Sequence, residues 1–313
     1  MGKTRITFWY FVLPGLSIYA VFFLLPIVQA LWYSFYQWPG FGSGKFIGLE
    51  NYITLMSDSI LMISLTNSLI FMLLSFAIML PLSFLLANSI ASLSPSRSAA
   101  FYSIVIFMPC IVASVAVGQM WETILNRNYG IISYLMESFF GTKGPNWLGD
   151  MNLSIYTIIF VNTWQWMGLS TLIFSAAIKN VPNELYDASK IDGAGPLQQL
   201  IWVTVPMTSK TIMVNMLIMA FGTLRAFDLV FILTAGGPLD SSQMPAHYMY
   251  YQTFKYLEFG PGSAIAVLIL LLAIISYIGI RIIFLIIPTL SSTKVKINQY
   301  QHEKFNKGLN SET

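Results

Sequence analysis

Long runs of apolar residues, separated by shorter polar segments, make up most of this chain. A helix needs about 20 apolar residues to cross the hydrocarbon core of a bilayer. Several runs reach that length, so the pattern predicts an all-α integral membrane protein with about six transmembrane helices in a single domain, 1–313. The first run is too long for a secretory signal peptide, so we count it as a span. We expect helices at about 8–36, 65–89, 99–121, 153–178, 211–233 and 263–288, and a polar loop at 179–210.

Positively charged residues are distributed unevenly over the segments between the predicted helices. Cytoplasmic loops of membrane proteins carry an excess of Lys and Arg. The richer set of segments holds Lys3, Arg5, Arg97, Lys179, Lys190, Lys210, Lys294, Lys296, Lys304 and Lys307, and the opposite set holds Lys45, Arg127, Lys143 and Lys255. We therefore expect both termini and loop 179–210 in the cytoplasm. The outward segments, roughly 37–64, 122–152 and 234–262, are longer and could seat an external partner.

Composition agrees with a membrane protein and excludes other classes. Hydrophobic residues make up 56% of the chain and charged residues 9%, whereas a soluble domain is about 25% charged. The single cysteine, Cys110, excludes an internal disulfide and a Cys-rich metal site. His247 and His302 are far apart, and no G-x-x-x-x-G-K-[ST] phosphate loop occurs. We expect no catalytic residue, metal or cofactor in this chain, and no nucleic acid partner.

A charged island interrupts the apolar pattern between Glu184 and Pro206. A solvated connector is the simplest interpretation. However, Pro182-Asn183 predicts a helix start, with Asn183 as a possible N-cap and acidic residues in the first turn, where they suit the helix dipole. Asp192-Gly193 should end this helix, and Gly195-Pro196 should start a second one that ends at Pro206. The sequence therefore predicts two short amphipathic helices joined by a glycine turn.

This island resembles the cytoplasmic coupling loop of permeases of ABC importers, which are driven by ATP. The pattern of that loop is E-A-A, three residues, G-A, and a proline twelve residues further on. The residues at those spacings are Asp187, Ala188, Ser189, Gly193, Ala194 and Pro206. Asp187 stands for the usual Glu, and Ser189 for the second Ala. The resemblance implies that the loop fits a cleft of an ATPase subunit. We therefore predict that the six matching residues, together with Glu184 and Asp192, couple the chain to the ATPase.

The resemblance extends along the chain to the carbohydrate-uptake class of these permeases, and to its maltose-type subunit in particular. It rests on Leu13-Pro14-Gly15, Phe46-Ile47-Gly48-Leu49-Glu50-Asn51-Tyr52, Asn162-Thr163-Trp164 and Leu233-Thr234-Ala235-Gly236-Gly237-Pro238. It implies a type I importer permease fold in the cytoplasmic (inner) membrane of a bacterium or archaeon. It also implies partners: a second permease, expected to be a different chain, two ATPase subunits that bind ATP and Mg, and an extracellular or periplasmic sugar-binding protein.

Candidate residues of the substrate path follow from the same resemblance. The matching positions are Cys110, Ser114, Asn162, Gln165, Trp166, Thr223 and Ala226. Only Ser114 and Asn162 keep the expected residue type, which indicates a sugar other than maltose. Amide and aromatic groups of the fourth span suit a sugar by themselves, although tryptophans are also common membrane-interface anchors.

Two charged residues, Arg225 and Asp228, fall inside the predicted fifth span. Charge in hydrocarbon costs on the order of 3 kcal/mol even on insertion scales. At positions i and i+3 the two side chains could form an ion pair that steadies the helix, or one of them could line the substrate path. We include Arg225 among the substrate-path candidates.

The sequence therefore predicts a non-catalytic permease subunit of an ATP-driven carbohydrate importer, with an oligosaccharide as substrate. One alternative is an importer of a phosphorylated polyol or another non-sugar solute, with Arg225 as the anion site. An ion-driven secondary carrier would need ionisable groups on several spans and broken midplane helices in two related halves, and neither is clear here. A membrane scaffold without transport would not explain the two motifs.

Overall fold

The computed structural model describes residues 2–93 and 96–286, with side chains from residue 9 onward. The first helix, α1, runs from Gly2 through a π-helical turn to Tyr33. The other helices are α2 (Glu50–Met56), α3 (Ser59–Ser92), α4 (Arg97–Ile111), α5 (Ser114–Leu125), α6 (Ile131–Phe140), α7 (Ser154–Lys179), α8 (Asn183–Ile191), α9 (Pro196–Met207), α10 (Ser209–Leu224), α11 (Asp228–Leu233), α12 (Pro245–Tyr250) and α13 (Phe259–Ile286). A short antiparallel pair, β1 (Tyr36–Gln37) and β2 (Lys45–Phe46), follows α1.

Each predicted span corresponds to a helix or to a pair of helices. Three helices of the described part are long and apolar enough to cross a membrane: Trp9–Tyr33 within α1, α3 and α13. The number rises to five when each of two bent pairs, α4 with α5 and α9 with α10, counts as one span. The 26-residue α7 is not in that group, because polar residues such as Asn162 and Gln165 lower its hydropathy. The all-α membrane fold is confirmed.

Two predicted spans are not continuous helices. Residues 99–121 were expected to form one helix, but α4 and α5 meet at an angle of 94°. Val112 and Ala113 between them have extended backbone conformations, three and four residues after Pro109 in the last turn of α4. Residues 211–233 were also expected to form one helix, but α10 ends at Leu224 and α11 begins at Asp228.

The ends of other predicted spans differ by a few residues. The first helix ends at Tyr33, and residue Tyr36 of the predicted span belongs to β1. The sixth helix begins four residues earlier than expected, at Phe259. Its predicted end at residue 288, the basic residues beyond it and His302 lie outside the described residues.

α7 lies at the centre of the fold and packs mainly against α3 and α4. Gly168 makes the contact with α4 possible, because a Cβ atom at this position would lie 2.2 Å from the carbonyl oxygen of Ile106. On another side, Phe174 packs edge to face on Phe84 of α3, with ring centroids 5.1 Å apart. The central helix therefore approaches the backbone of α4 closely and contacts α3 through side chains.

Side-chain hydrogen bonds connect α3 to the segment between α11 and α13 at one end of the bundle. The Asn67 amide of α3 donates hydrogen bonds to the carbonyl oxygens of Ser241 and Gln243, at 2.8 and 3.0 Å. The Asp58 carboxylate accepts from two backbone N–H groups at the start of α3 and also from the Tyr248 hydroxyl. These bonds fold the long segment between α11 and α13 back onto α3.

The first helix contrasts with this packed region. None of its apolar window is buried within the described part of the chain. Large side chains such as Phe11, Phe22 and Trp32 are exposed along its length.

Candidate functional site

A cleft of about 430 Å³ opens between α3, α7 and α10, at the two breaks in the helices. The predicted residues that line it are Ser114, Asn162, Trp166, Thr223, Arg225 and Ala226. Ser114 is the first residue of α5, directly after the first break, and Arg225 and Ala226 form the link across the second break. The structure therefore brings most of the predicted substrate-path residues together.

Two predicted residues do not line this cleft. Gln165 is fully buried, and its amide nitrogen donates to the carbonyl oxygen of Val112 at 3.1 Å and to the Ser114 hydroxyl oxygen at 3.2 Å. Cys110 is half-buried in the last turn of α4. Gln165 therefore reaches the cleft only through Ser114, whose hydroxyl hydrogen stays free to be donated because the oxygen already accepts from Gln165.

The expected ion pair of Arg225 with Asp228 does not form among the described residues. The expectation assumed a continuous helix, whereas the break after Leu224 removes the two residues from a common helical face. Both side chains are exposed, and both line the cleft. The cleft therefore contains one positive and one negative group without a partner of opposite charge in the described part.

The lining of the cleft is suited to a molecule with many hydroxyl groups. Trp166 offers an aromatic surface, and Asn162 one turn earlier on α7 offers both an amide donor and an acceptor. Trp164, by contrast, packs in the hydrophobic core edge to face with Trp121, at a centroid distance of 5.5 Å. Of the two tryptophans that the sequence singled out, only Trp166 therefore lines the cleft.

The predicted coupling loop forms two helices, as expected. α8 ends in a turn at Gly193, whose φ of +82° is in the left-handed region that favours glycine, and α9 begins at Pro196. Two details of the prediction were wrong. Pro182 occupies the N-cap position and Asn183 is the first helical residue, and α9 continues beyond Pro206 to Met207.

The two helices of this loop, α8 and α9, are tied into one unit. The Gln199 amide of α9 donates to the Ser189 hydroxyl at 3.0 Å and to the Tyr186 carbonyl oxygen at 3.3 Å, both on α8. The hydroxyl groups of Tyr186 and Thr204 also form a hydrogen bond, at 3.0 Å. Sequence reasoning missed these locking residues, because nothing in the local pattern indicates which polar residues of α9 face α8.

The outer surface of the loop is both charged and apolar. Glu184, Asp187 and Asp192 are exposed, and Asp187 forms an exposed ion pair with Lys190 at 3.1 Å. The exposed fractions of Ile191 and Leu197 are 87% and 68%. Apolar side chains this exposed on a rigid, charged loop indicate a protein contact surface.

The loop and the cleft are joined by one helix. α9 turns by 74° into α10 near Thr208. α10 has 16 residues, which corresponds to about 24 Å, and it ends at Thr223 and Leu224 beside the cleft. A displacement of the loop would therefore reach the cleft through a single rigid element.

Comparisons with known proteins agree with these observations. The family described as "Binding-protein-dependent transport system inner membrane component" matches residues 62–285. The sn-glycerol-3-phosphate transport system permease protein UgpA of Yersinia enterocolitica is 31% identical over 270 residues, which are 84% of this chain and 88% of the relative. The lactose transport system permease protein LacF of Rhizobium radiobacter is 28% identical over 274 residues, 86% of this chain and 91% of the relative.

A solved structure has the same fold. It is a chain of a bacterial alginate ABC transporter in complex with an alginate pentasaccharide-bound periplasmic protein. The TM-score is 0.79 at 18% sequence identity, and the match covers 90% of this chain and 95% of the other.

Proposed function

The chain belongs to the family of inner-membrane components of binding-protein-dependent transport systems, and from this premise we propose that it lines the path by which an ATP-driven importer takes up a neutral oligosaccharide. The observation that carries this proposal is the cleft in which Trp166, Asn162 and Ser114 lie together. Sugars bind to aromatic faces through their C–H side and to amide and hydroxyl groups through their hydroxyls.

The proposal includes partner subunits that carry out the other functions of the importer. Two ATPase subunits bind ATP and Mg and hydrolyse the nucleotide, and a second permease, a different chain, completes the other side of the path. The contact with the ATPase is the coupling loop, because its exposed carboxylates and apolar side chains are held on two locked helices. A sugar-binding protein delivers the substrate on the opposite side of the membrane.

The proposed mechanism is alternating access. ATP binding closes the ATPase pair and moves the coupling loops, α10 transmits the displacement, and the cleft opens outward to accept sugar from the binding protein. Hydrolysis of ATP returns the cleft to the inward orientation. Each step requires that ATP or the loaded binding protein has a different affinity for the two states. The distribution of Lys and Arg supports an orientation with both termini and the loop in the cytoplasm.

The experiment that tests the proposal is ATP hydrolysis and sugar uptake by the purified complex in proteoliposomes with its binding protein. Single oligosaccharides are added in turn. We expect one of them to stimulate hydrolysis and to accumulate inside. Gly193→Asp should weaken the stimulation, because a positive φ is less favourable for Asp than for glycine and because the added carboxylate changes the charge of the loop surface. Asn162→Ala should instead raise the KM for the sugar while basal hydrolysis stays unchanged. Uptake that continues without ATP would contradict the proposal.

A second candidate substrate is a phosphorylated polyol. Arg225 lines the cleft, is exposed and has no ion pair in the described part of the chain, and Arg binds phosphate well. The relative that is 31% identical carries sn-glycerol-3-phosphate in its name. If this candidate is correct, sn-glycerol 3-phosphate should stimulate hydrolysis in wild type, and Arg225→Gln should remove that response. Lys255→Gln, which removes a charge outside the cleft, is the control.

A further inference from the structure

A second cleft, of about 330 Å³, lies in the segment between α5 and α7, away from the proposed substrate path. The residues before α6, the first turns of α6 and Lys143 form its walls. Gly130 shapes the tight turn into α6, because a Cβ atom there would lie 2.4 Å from the Asn126 carbonyl oxygen. The cleft is therefore formed by a constrained turn and a helix.

The charges at this cleft favour an anion. Arg127 and Lys143 both line it, and neither has an ion pair among the residues that the structure describes. Gly130 and Ile131 place the N-terminus of α6 in the wall, and no side chain caps that end of the helix. Free backbone N–H groups and the helix dipole stabilise a negative charge at such a position.

A buried hydroxyl group without a hydrogen-bond partner supports the binding of a ligand in this cleft. Ser133 lines the cleft and is 3% exposed, yet its hydroxyl oxygen has no hydrogen-bond partner among the described residues. A buried polar group without a partner costs free energy, so most such groups are satisfied in folded proteins. The hydroxyl oxygen lies behind the wall of the cleft with almost no accessible surface, and rotation of the Ser133 side chain would let it donate to a ligand with acceptor oxygens.

One negative group distinguishes this cleft from a simple phosphate site. Glu137 lies on α6 one turn beyond Ser133 and also lines the cleft. A lone phosphate would be repelled by it. A ligand that carries a phosphate together with an ammonium group would instead match two cations and one carboxylate.

An apolar surface adjoins the charged cleft. Ile131, Leu135 and Phe139 lie at positions i, i+4 and i+8 of α6, and their exposed fractions are 58%, 44% and 78%. Their common stripe is next to Tyr134, which also lines the cleft. An amphipathic helix with such a stripe is typical of elements that lie in the membrane interface.

We propose that this cleft binds the headgroup of a phosphatidylethanolamine molecule. Arg127, Lys143 and the N-terminus of α6 bind its phosphate, Glu137 binds its ammonium group, and its acyl chains lie along the apolar stripe of α6. The proposal rests on the proposed function in one respect, because the orientation of that transporter places this segment at the outer membrane surface.

The test uses the full chain in its purified transporter complex, with lipid removed in detergent. Phosphatidylethanolamine, phosphatidylglycerol, phosphatidylcholine or inorganic phosphate is added alone, and bound lipid is counted by native mass spectrometry. Wild type should bind phosphatidylethanolamine most tightly. In Arg127→Gln/Lys143→Gln the half-saturating lipid concentration should rise about tenfold or more, as expected for the loss of charge-assisted hydrogen bonds. Lys45→Gln/Lys255→Gln, with the same loss of charge, should bind like wild type.

Further outcomes decide the identity of the ligand. Glu137→Gln should weaken phosphatidylethanolamine binding and leave phosphatidylglycerol binding unchanged or stronger. Equal binding of the two lipids in wild type, with no effect of Glu137→Gln, would overturn the ammonium contact. Displacement of the lipid by inorganic phosphate alone would show a free phosphate site instead. An unchanged affinity in the double variant would overturn the proposal as a whole.

Binding is measured without ATP or sugar, so a failed transport experiment does not affect it. The orientation can be tested separately with Lys143→Cys in a Cys110→Ser chain, because the sequence contains no other cysteine. Labelling of intact cells by a membrane-impermeant maleimide should modify this cysteine. Labelling only after the cells are opened would contradict the outward orientation, and with it the position of the lipid headgroup at the outer membrane surface.

Discussion

The amide nitrogen of Gln165 donates a hydrogen bond to the carbonyl oxygen of Val112, at 3.1 Å. Val112 lies in the break between α4 and α5, where its carbonyl group has left the helical pattern. A buried carbonyl without a partner would be costly in a membrane protein. The central helix α7 therefore stabilises the break, and through the bond from Gln165 to Ser114 it also orients a hydroxyl group of the cleft.

Replacing Gln165 should reduce transport without changing selectivity. In Gln165→Met the side chain keeps its approximate size but cannot donate, so the fold should lose about 1 kcal/mol. Uptake of every accepted substrate should fall in a similar proportion, because Gln165 itself does not line the cleft and the Ser114 hydroxyl group that it orients remains available to each substrate. Asn162→Ala, as the comparison, should change the KM values of different sugars unequally. Relative uptake rates of several sugars measure this, and a selective loss in Gln165→Met would indicate direct substrate contact.

Gly168→Ala should destabilise the contact between α4 and α7. The added Cβ atom would meet the backbone of Ile106, which cannot rotate away as a side chain could. Overpacking of this kind costs about 1 to 3 kcal/mol, so the apparent melting temperature in detergent should fall. Gly279→Ala in α13 is the matched control, because nothing lies within 4 Å of the added atom. Equal melting temperatures for the two variants would contradict the prediction and would mean that α4 and α7 can move apart to accept the added methyl group at little cost.

Substitutions at Gly193 should reduce coupling in a graded manner. Its φ of +82° costs an L-residue about 1 to 2 kcal/mol, and Asn tolerates this region better than Ala. Sugar-stimulated ATP hydrolysis should therefore decrease from wild type to Gly193→Asn to Gly193→Ala. Gly195→Ala is the control, because Gly195 has a φ of −74°, which Ala adopts without strain. If Gly195→Ala has the same effect, the conformation of the turn is not the cause.

Lowering the pH should destabilise the fold through His247. Burial, and secondly the charge of Lys255, lower the pKa of His247 from 6.5 to about 4. Above pH 6.5 the ring is neutral in the folded and unfolded states and has no effect. Between pH 6.5 and about 4 the unfolded chain binds the proton first, so stability should fall over this range and level off below it.

The measurement for His247 is the apparent melting temperature as a function of pH. His247→Gln should have a flatter profile than wild type between pH 6.5 and 4, because the group that titrates differently in the two states is gone. His302→Gln removes the other histidine of the chain and should follow the wild-type profile.

Local sequence signals predicted the two helices and the glycine turn of loop 179–210 well. The turn depends on Gly193 and the second helix on Pro196, and both residues act through their own backbone conformation. The apolar runs predicted the long helices for a similar reason, because length and hydropathy are local properties. These parts of the fold need no knowledge of distant contacts.

The helix breaks could not be predicted in the same way. The sequence around Val112 is apolar on both sides, and the group that stabilises the break there is Gln165, more than fifty residues later in the chain. The residues from Arg225 to Phe227 give no glycine or proline signal, although the helix ends there. The ion pair expected for Arg225 and Asp228 was wrong for this reason, since helical spacing has meaning only within one helix.

The exposed apolar surface of α1 determines what can surround this chain in the membrane. α13 contacts the C-terminal part of this helix, but none of its apolar window is buried within the described chain. Lipid or another subunit must therefore shield it at every stage. In the proposed importer, a partner subunit that binds α1 would replace lipid on this surface, whereas a copy of the chain without that partner keeps α1 in contact with lipid. The surroundings of α1 would then differ between free and assembled copies of the chain.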